Sequence, residues 1–409
     1  MTFDLDRVLI AAVSASFAIA VLASVVSWSQ RWTASSRAIL AVFFAIFAFS
    51  ELDTLFGVLA SDVSQRLRDG VTMLSVIANF CLGPAFLLYV RELTLSENRS
   101  DDKRLSMMHF ALPMMAVLIA MAAMALPDET RELWYTGASV LAPPPGLKFL
   151  NVSFTLLTIA LVVQWALYVV WVIQTQMRHL AVLKQHFSST DGLELRWIVV
   201  LATAMGTYVL QNLIGELLRV VGSQDPIGPL FDSLWVLVVV AALALWGLRP
   251  SKEIESVAAE LDVLEERVRG KYEKSALGPD QAERIARKLV HAMEKDVLYR
   301  DPNLTLSSLS AQIGVSLNYV SQTLNQHLEQ SFFEFVNGWR VKEAIPLVEV
   351  GASTVLAIAY EVGFNSRSSF YTAFKRETGM TPTQYKRTKS RAKTSHGTAS
   401  ASAAIKHSP

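Results

Sequence analysis

Before Arg249 the chain is dominated by seven stretches of almost uninterrupted apolar residues, 8–28, 38–60, 71–90, 105–126, 149–173, 197–218 and 230–248. A hydrocarbon layer about 30 Å thick takes roughly 20 such residues as a helix, so each stretch predicts a span. Glu51 and Asp53 interrupt the second, and His109 and Pro113 the fourth, making these the weakest patterns. Pro84 and Pro113 fit a span where neighbouring helices cover the carbonyls they free. Past Arg249-Pro250 the pattern turns charged and helical. Ile254, Val257, Leu261, Leu264 and Val268 recur at spacings of three and four, the seam of a short coiled coil. Either two copies of the chain pair along it, or a single amphipathic helix lies against its own domain. Gly270 and Gly278-Pro279 end that helix.

From Gln281 the helical period resumes with Ile285, Leu289 and Met293 on one face. Thr305 is placed to cap a helix carrying Leu306, Leu309 and Ile313; Gly314-Val315-Ser316 makes a turn, and Ser316 opens a helix that buries Val320 and Leu324. A helix, a short glycine-containing turn and a second helix form a helix-turn-helix pattern. It occurs twice. Val355, Ile358 and Val362, the turn Gly363-Phe364-Asn365, and Ser366 with Phe370 and Phe374 repeat it. Leu309 maps onto Ile358 and Val320 onto Phe370 with one extra residue in the second turn. Between the units, 332–350 reads as one helix with Phe335, Val336, Trp339 and Ile345 at apolar positions. The expected fold class is therefore all-α. A seven-helix transmembrane bundle covers 1–249, a helical linker 250–277 and an all-α domain with two helix-turn-helix units 278–388. A basic tail over 389–409, without apolar period, is expected to be disordered.

The whole-chain charge of +1 conceals a sparse first half and a dense second half. Lys and Arg favour cytoplasmic loops, and alternate loops carry nine on one side (Arg31, Arg37, Arg91, Arg99, Lys103, Arg104, Arg178, Lys184, Arg196) against six on the other (Arg7, Arg66, Arg68, Arg131, Lys148, Arg219). That bias puts the carboxyl end on the cytoplasmic side of the membrane and the amino end outside. The acidic start, Asp4 and Asp6, and the long run after Arg7 fit an uncleaved span better than a secretory signal. Cys81 is the only cysteine, which excludes disulfides within the chain and a cysteine-rich zinc site. No metal or cofactor is expected.

Polar groups inside spans usually face a bundle interior or a wet cavity. With the amino end outside, Glu51, Asp53, Gln211, Asn212, Glu216 and Asp232 fall in the outer halves of their spans. Either they line a site for a small molecule or ion, or they mark helix ends and an ill-placed boundary. Asn79 and Gln164 are expected to hydrogen-bond between helices.

The last hundred residues resemble the AraC/XylS family of bacterial transcription regulators. The resemblance rests on 306–310 leading to Gly314-Val315-Ser316, on Arg340-Val341-Lys342-Glu343-Ala344, on Ile358-Ala359-Tyr360-Glu361-Val362-Gly363-Phe364, on 369–376, on Gly379-Met380-Thr381-Pro382, and on Tyr385-Lys386. It covers about a quarter of the chain; spans, linker and tail together look like membrane-bound members. Pro346, inside the middle helix, departs from the family pattern and is expected to kink it, and Tyr385-Lys386 replaces a usual Tyr-Arg. The resemblance implies that each unit lays its second helix in a major groove of double-stranded promoter DNA, with a homodimer, membrane lipids and RNA polymerase as further partners. Helix geometry selects the reading face separately. With Val320 and Leu324 buried, Asn318, Ser321, Gln322 and Asn325 point away; with Phe370 and Phe374 buried, Arg367, Ser368, Tyr371, Thr372 and Lys375 do so. Asn and Gln pair with adenine and Arg with guanine; Ser321, Ser368 and Lys375 suit phosphates.

An enzyme is the competing class, but the chain has no Gly-rich phosphate loop, H-E-x-x-H helix or G-x-S-x-G turn. His291 on its helix is followed by no nucleotide-binding lobe, so a histidine kinase is not expected. A transporter or a passive anchor remains the alternative for the spans.

Overall fold

In the computed structural model, residues 5–31, 35–59, 64–94, 108–136, 144–191, 193–220, 228–249, 277–351 and 353–389 are described. The chain forms two compact units, Met1–His179 with Leu195–Ser251, and Leu180–Glu194 with Lys252–Pro409. Among the described residues there is no strand beyond one isolated bridge.

The first unit comprises α1 (Leu5–Ser29), α2 (Ser35–Ser50), α3 (Leu52–Leu59), α4 (Gln65–Leu93), α5 (Ala111–Met124), α6 (Asp128–Thr136), most of α7 (Pro145–His186), α8 (Arg196–Val220) and α9 (Gly228–Gly247). Among the described residues six helices are long and apolar enough to cross a membrane, α2 and α3 together making one of them. The stretch expected to be the fourth span appears as α5, 14 residues, about 21 Å at 1.5 Å per residue. Pro113 lies in its first turn, where a missing N–H costs nothing. The carbonyl of His109, which Pro113 leaves without its helical donor, accepts from Gln164 Nε2 of α7 at 3.4 Å, so Gln164 does bond between helices. Asn79 does not: its amide donates to Ser75 O of its own helix at 3.1 Å.

The interruption read in the second span is a turn at Glu51 between α2 and α3. α4 stitches it, because Ser75 Oγ donates to Phe49 O and accepts from the Asp53 N–H, each at 3.0 Å, and Thr72 Oγ1 donates to the Asp53 carboxylate. Phe43, Phe44 and Phe86 are sealed between α2 and α4. Gly83 lets α4 meet α7, since a Cβ there would stand 2.8 Å from the Tyr168 ring. Arg131, read from sequence only as a loop charge, forms a hidden ion pair with Asp69. Their side chains are 7% and 0% exposed at 2.9 Å, and the guanidinium also covers the carbonyls of Met124 and Leu126 that end α5. Arg37 donates to Gly247 O at 2.9 Å and Arg249 O at 2.6 Å, satisfying carbonyls that the end of α9 leaves open.

The second unit is built from α10 (Pro279–Glu294), a 3-10 turn (Leu298–Arg300), α11 (Leu306–Ile313), α12 (Leu317–Gln322) widening into a π turn (Thr323–His327), α13 (Phe332–Val350), α14 (Val355–Glu361) and α15 (Arg367–Thr378). Residues 382–389 are helical as well. Four of these starts are written in the sequence, whereas Ser316 stands before α12 without a side-chain cap bond. Thr305 with Ser308 and Ser331 with Glu334 form capping boxes, and Thr354 and Ser366 accept from the third backbone N–H of their helices, satisfying donors that would otherwise be orphaned. α13 carries two cores. Its first half packs Phe332, Phe335 and Val336 with Leu289, Met293, Leu309, Val320 and Leu324; its second half packs Val341, Ala344 and Val348 with Ile358, Phe364, Phe370 and Phe374. The helix runs on past Pro346 to its cap at Gly351. Pro346 and Lys342 are both exposed, so water can serve the carbonyl the proline frees. The seam from Ile254 to Val268 and the tail 390–409 lie outside the described residues.

Candidate nucleic-acid interface

The paired helices α11–α12 and α14–α15 present their second members with the apolar side inward: Val320, Leu324, Phe370 and Phe374 are all buried. Opposite them, Arg367, Ser368, Thr372 and Lys375 of α15 are exposed and Tyr371 is half-buried. The Arg367 guanidinium stacks over the Tyr371 ring at 4.9 Å and donates to its hydroxyl at 3.1 Å. That hydroxyl shares a 3.1 Å hydrogen bond with Thr383. The Thr383 bond, and then Arg367, hold the Tyr371 phenol below its usual range. Arg367 is thereby pre-oriented on a flat support, as a bidentate contact to a base edge requires.

On the first pair, Asn325 is exposed and Asn318, Ser321 and Gln322 are half-buried. Asn325 Nδ2 donates to Ser321 Oγ at 3.3 Å. The Gln322 Oε1 is enclosed without a hydrogen-bond partner, so pairing this amide with adenine requires its side chain to rotate outward. α12 ends at Gln322 because the backbone widens: Leu328 N–H reaches back to Thr323 O at 2.9 Å, and Thr323 Oγ1 holds Tyr319 O at 2.7 Å.

The spacing between the two pairs is fixed by a polar cluster that the sequence reading did not assemble. Arg340 of α13 is 0% exposed. Its guanidinium donates to Tyr299 O (2.7 Å), Asp301 O (2.8 Å), Asn337 Oδ1 (3.0 Å), and both Ser188 O (3.2 Å) and Ser188 Oγ (3.1 Å). Burial pushes it down to about 10, which Asp301 partly offsets, leaving it charged at neutral pH. Gly363, at φ 97°, lies against the same segment, where a Cβ would stand 2.7 Å from Tyr299 O and 2.8 Å from Arg300 O. Arg340 falls in phase with Val336 and Ala344 on the buried stripe of α13, a signal available in sequence. Ser188, 152 positions away, carried no such signal.

Ser188 belongs to the segment after α7. Phe187 bridges to Thr305, Ser188 N–H donates to Leu304 O at 3.2 Å, and Asn337 Nδ2 donates to Ser188 O at 3.2 Å. Asp191, three residues on, reaches the start of α15. Its Oδ1 accepts from Ser366 Oγ at 3.1 Å and Ser369 Oγ at 2.7 Å.

Of the polar positions singled out in the spans, Gln211 and Asp232 meet, with Gln211 Nε2 donating to Asp232 Oδ1 at 2.7 Å. Glu51 is buried, Asp53 is engaged by Thr72, and Asn212 is exposed and donates to Tyr208 O of its own helix at 2.9 Å. Asn212 also lines a cavity of about 190 Å³ with Asn79, Thr158, Trp165 and Tyr208. The side chain of Glu216 lies outside the described residues. Among the described residues no group of three His, Cys, Asp or Glu could hold a metal.

Residues 309–388 match the family described as a helix-turn-helix domain. The chain is 30% identical over 92 residues to an AraC-like transcription regulator of Streptomyces antibioticus and 32% identical over 92 residues to one of Streptomyces lividans. Each match covers 22% of this chain and 30% of the relative. An HTH-type transcriptional regulator of Staphylococcus aureus (strain COL) is 34% identical over 89 residues, 22% of this chain and 12% of its own length. The chain thus spans less than a third of each of these relatives. The C-terminal domain of AraT, a response regulator from Geobacillus stearothermophilus, matches at 30% identity over 28% of this chain and 88% of that one, with a TM-score of 0.24. These relatives are transcription regulators and not enzymes, and the carboxyl-terminal part of this chain carries a helix-turn-helix domain of the AraC type.

Proposed function

We propose that the chain is a membrane-embedded, sequence-specific transcription regulator, with seven spans over 1–249, the amino end outside and the carboxyl domain in the bacterial cytoplasm. The observation that carries the reading is the arrangement around α13: two helix pairs, each with its own core, hang from one helix and turn polar faces away from those cores. Each pair is a helix-turn-helix unit. Arg367, Ser368, Tyr371, Thr372 and Lys375 read or hold one stretch of duplex, and Asn318, Ser321, Gln322 and Asn325 another. Two copies pair along Ile254, Val257, Leu261, Leu264 and Val268, and an outside ligand or ion at Glu51, Asp53, Gln211, Asn212, Glu216 and Asp232 biases that pairing. At promoters the domain contacts RNA polymerase.

Genome-wide mapping of DNA bound by the tagged full-length protein tests this. A shared sequence motif under the bound peaks is expected. Arg367→Ala should relax preference at one base position at a cost of about 1 to 3 kcal/mol. Peaks without any common motif, or a motif unchanged by Arg367→Ala and Gln322→Ala together, would sink the reading of these faces.

A further inference from the structure

Segment 187–194 joins the second unit in two chemically different layers. The inner layer is buried: Phe187, Ser188 and Thr190 are sealed, and Ser188 is one of the acceptors of the enclosed Arg340 guanidinium. The outer layer is exposed. Asp191 stands in solvent, its Oδ1 on the hydroxyls of Ser366 and Ser369 and its Oδ2 accepting from Ser189 Oγ at 3.2 Å. Breaking the inner layer would strand a buried charge, whereas the outer contact can open and close.

A negative group is well placed where Asp191 lies. The N-terminal turn of a helix carries unpaired N–H groups and the positive end of the helix dipole. In a DNA-reading helix the same end approaches base edges and phosphates, and duplex DNA carries one negative charge per about 1.7 Å of axis. A carboxylate and a phosphate therefore compete for this end of α15, and while Asp191 stays, it repels the duplex.

We propose that segment 187–194 is a built-in brake on DNA reading, in which Asp191 occupies the start of α15 and must leave before that end engages DNA. The inference rests on α15 being a DNA-reading helix. Because the segment follows directly on α7, a change at the end of that helix reaches α15 without passing through the linker. A signal sets the brake only by its difference in affinity for the open and closed arrangements.

The test uses the full-length protein in lipid nanodiscs and a labelled duplex carrying the motif found by genome-wide mapping, with affinity read by fluorescence anisotropy. Asp191→Ala should bind about 3- to 10-fold tighter than wild type, the size of one displaced charge-assisted contact at a wet surface. Asp191→Asn, which keeps acceptor oxygen but loses charge, should fall between. Glu294→Gln removes an exposed charge elsewhere on the domain and should change affinity less than about twofold, since a single remote charge is screened. If Asp191→Ala matches Glu294→Gln, or binds more weakly than wild type, there is no brake. If neither wild type nor Asp191→Ala selects the motif while thermal melting shows both folded, the DNA-reading assignment itself falls.

Discussion

The two units use the same apolar residue types to opposite effect. In the first, Leu22 of α1, Met121 of α5 and Leu167 of α7 are more than half exposed, pointing away from their bundle. In the second, Leu289, Leu306, Phe332, Phe370 and Phe374 are wholly sealed, and the outer surface is charged. Water forces the second arrangement, because apolar area left wet costs about 25 cal/mol per Å². In the membrane setting proposed for the first unit, lipid removes that cost and shifts the discrimination to polar groups. The first unit accordingly hides Asp69 and Arg131 together and ties Arg37 to backbone carbonyls. In the second unit burial of a charge is optional, so the enclosed Arg340 marks a position where geometry matters more than solvation.

The largest expected effect tests that last statement. Arg340→Ala removes donors from three buried backbone carbonyls in two segments, Ser188 and 299–301, and the unsatisfied acceptors should destabilise the second unit by about 3 to 5 kcal/mol, read as a lowered midpoint of denaturation for that unit. A loss below about 1 kcal/mol, an ordinary surface value, would make Arg340 an incidental buried charge. A smaller effect is expected in the first unit when Asp69→Asn leaves the hidden Arg131 with only the exposed Asp128 as its counter-ion. The double change Asp69→Asn, Arg131→Gln should recover part of it in detergent melting, since removing both partners of a buried pair costs less than removing one. Additive losses would mean that the pair is not coupled.

Gly363→Ala comes next. Its Cβ would strike two backbone carbonyls in a left-handed conformation, and about 2 to 3 kcal/mol should be lost. A melting temperature equal to wild type would show that segment 299–301 moves aside freely. The smallest effect concerns pH. Glu334 is held below the ordinary carboxylate range, first by the Ser331 N–H it accepts in the capping box. A carboxylate lowered on folding stabilises above its unfolded value, and that stability disappears as pH falls through its folded value. The gap in melting temperature between wild type and Glu334→Gln should therefore be present at neutral pH and close through the acidic range. A gap independent of pH would remove the charge from the explanation.

Periodicity and caps were enough to place the helices of the second unit, because those signals are local. Thr305 and Ser366 announce helix starts within three residues of their partners, and the stripes through Val320, Leu324, Phe370 and Phe374 declare which side is buried. The long apolar runs likewise declare themselves by length. Long-range pairing is another matter. The sequence contains Ser188 and Asp191 in what reads as a plain loop between apolar runs, and nothing in their neighbours tells that one satisfies Arg340 and the other reaches Ser366 and Ser369. Hydrogen-bond partners separated by some 150 positions share no periodicity, since only the folded chain brings them to 3.2 Å. Thus sequence determined the element types, the buried faces and the AraC-type domain, whereas tertiary structure alone decided which unit segment 180–194 joins and what its side chains hold.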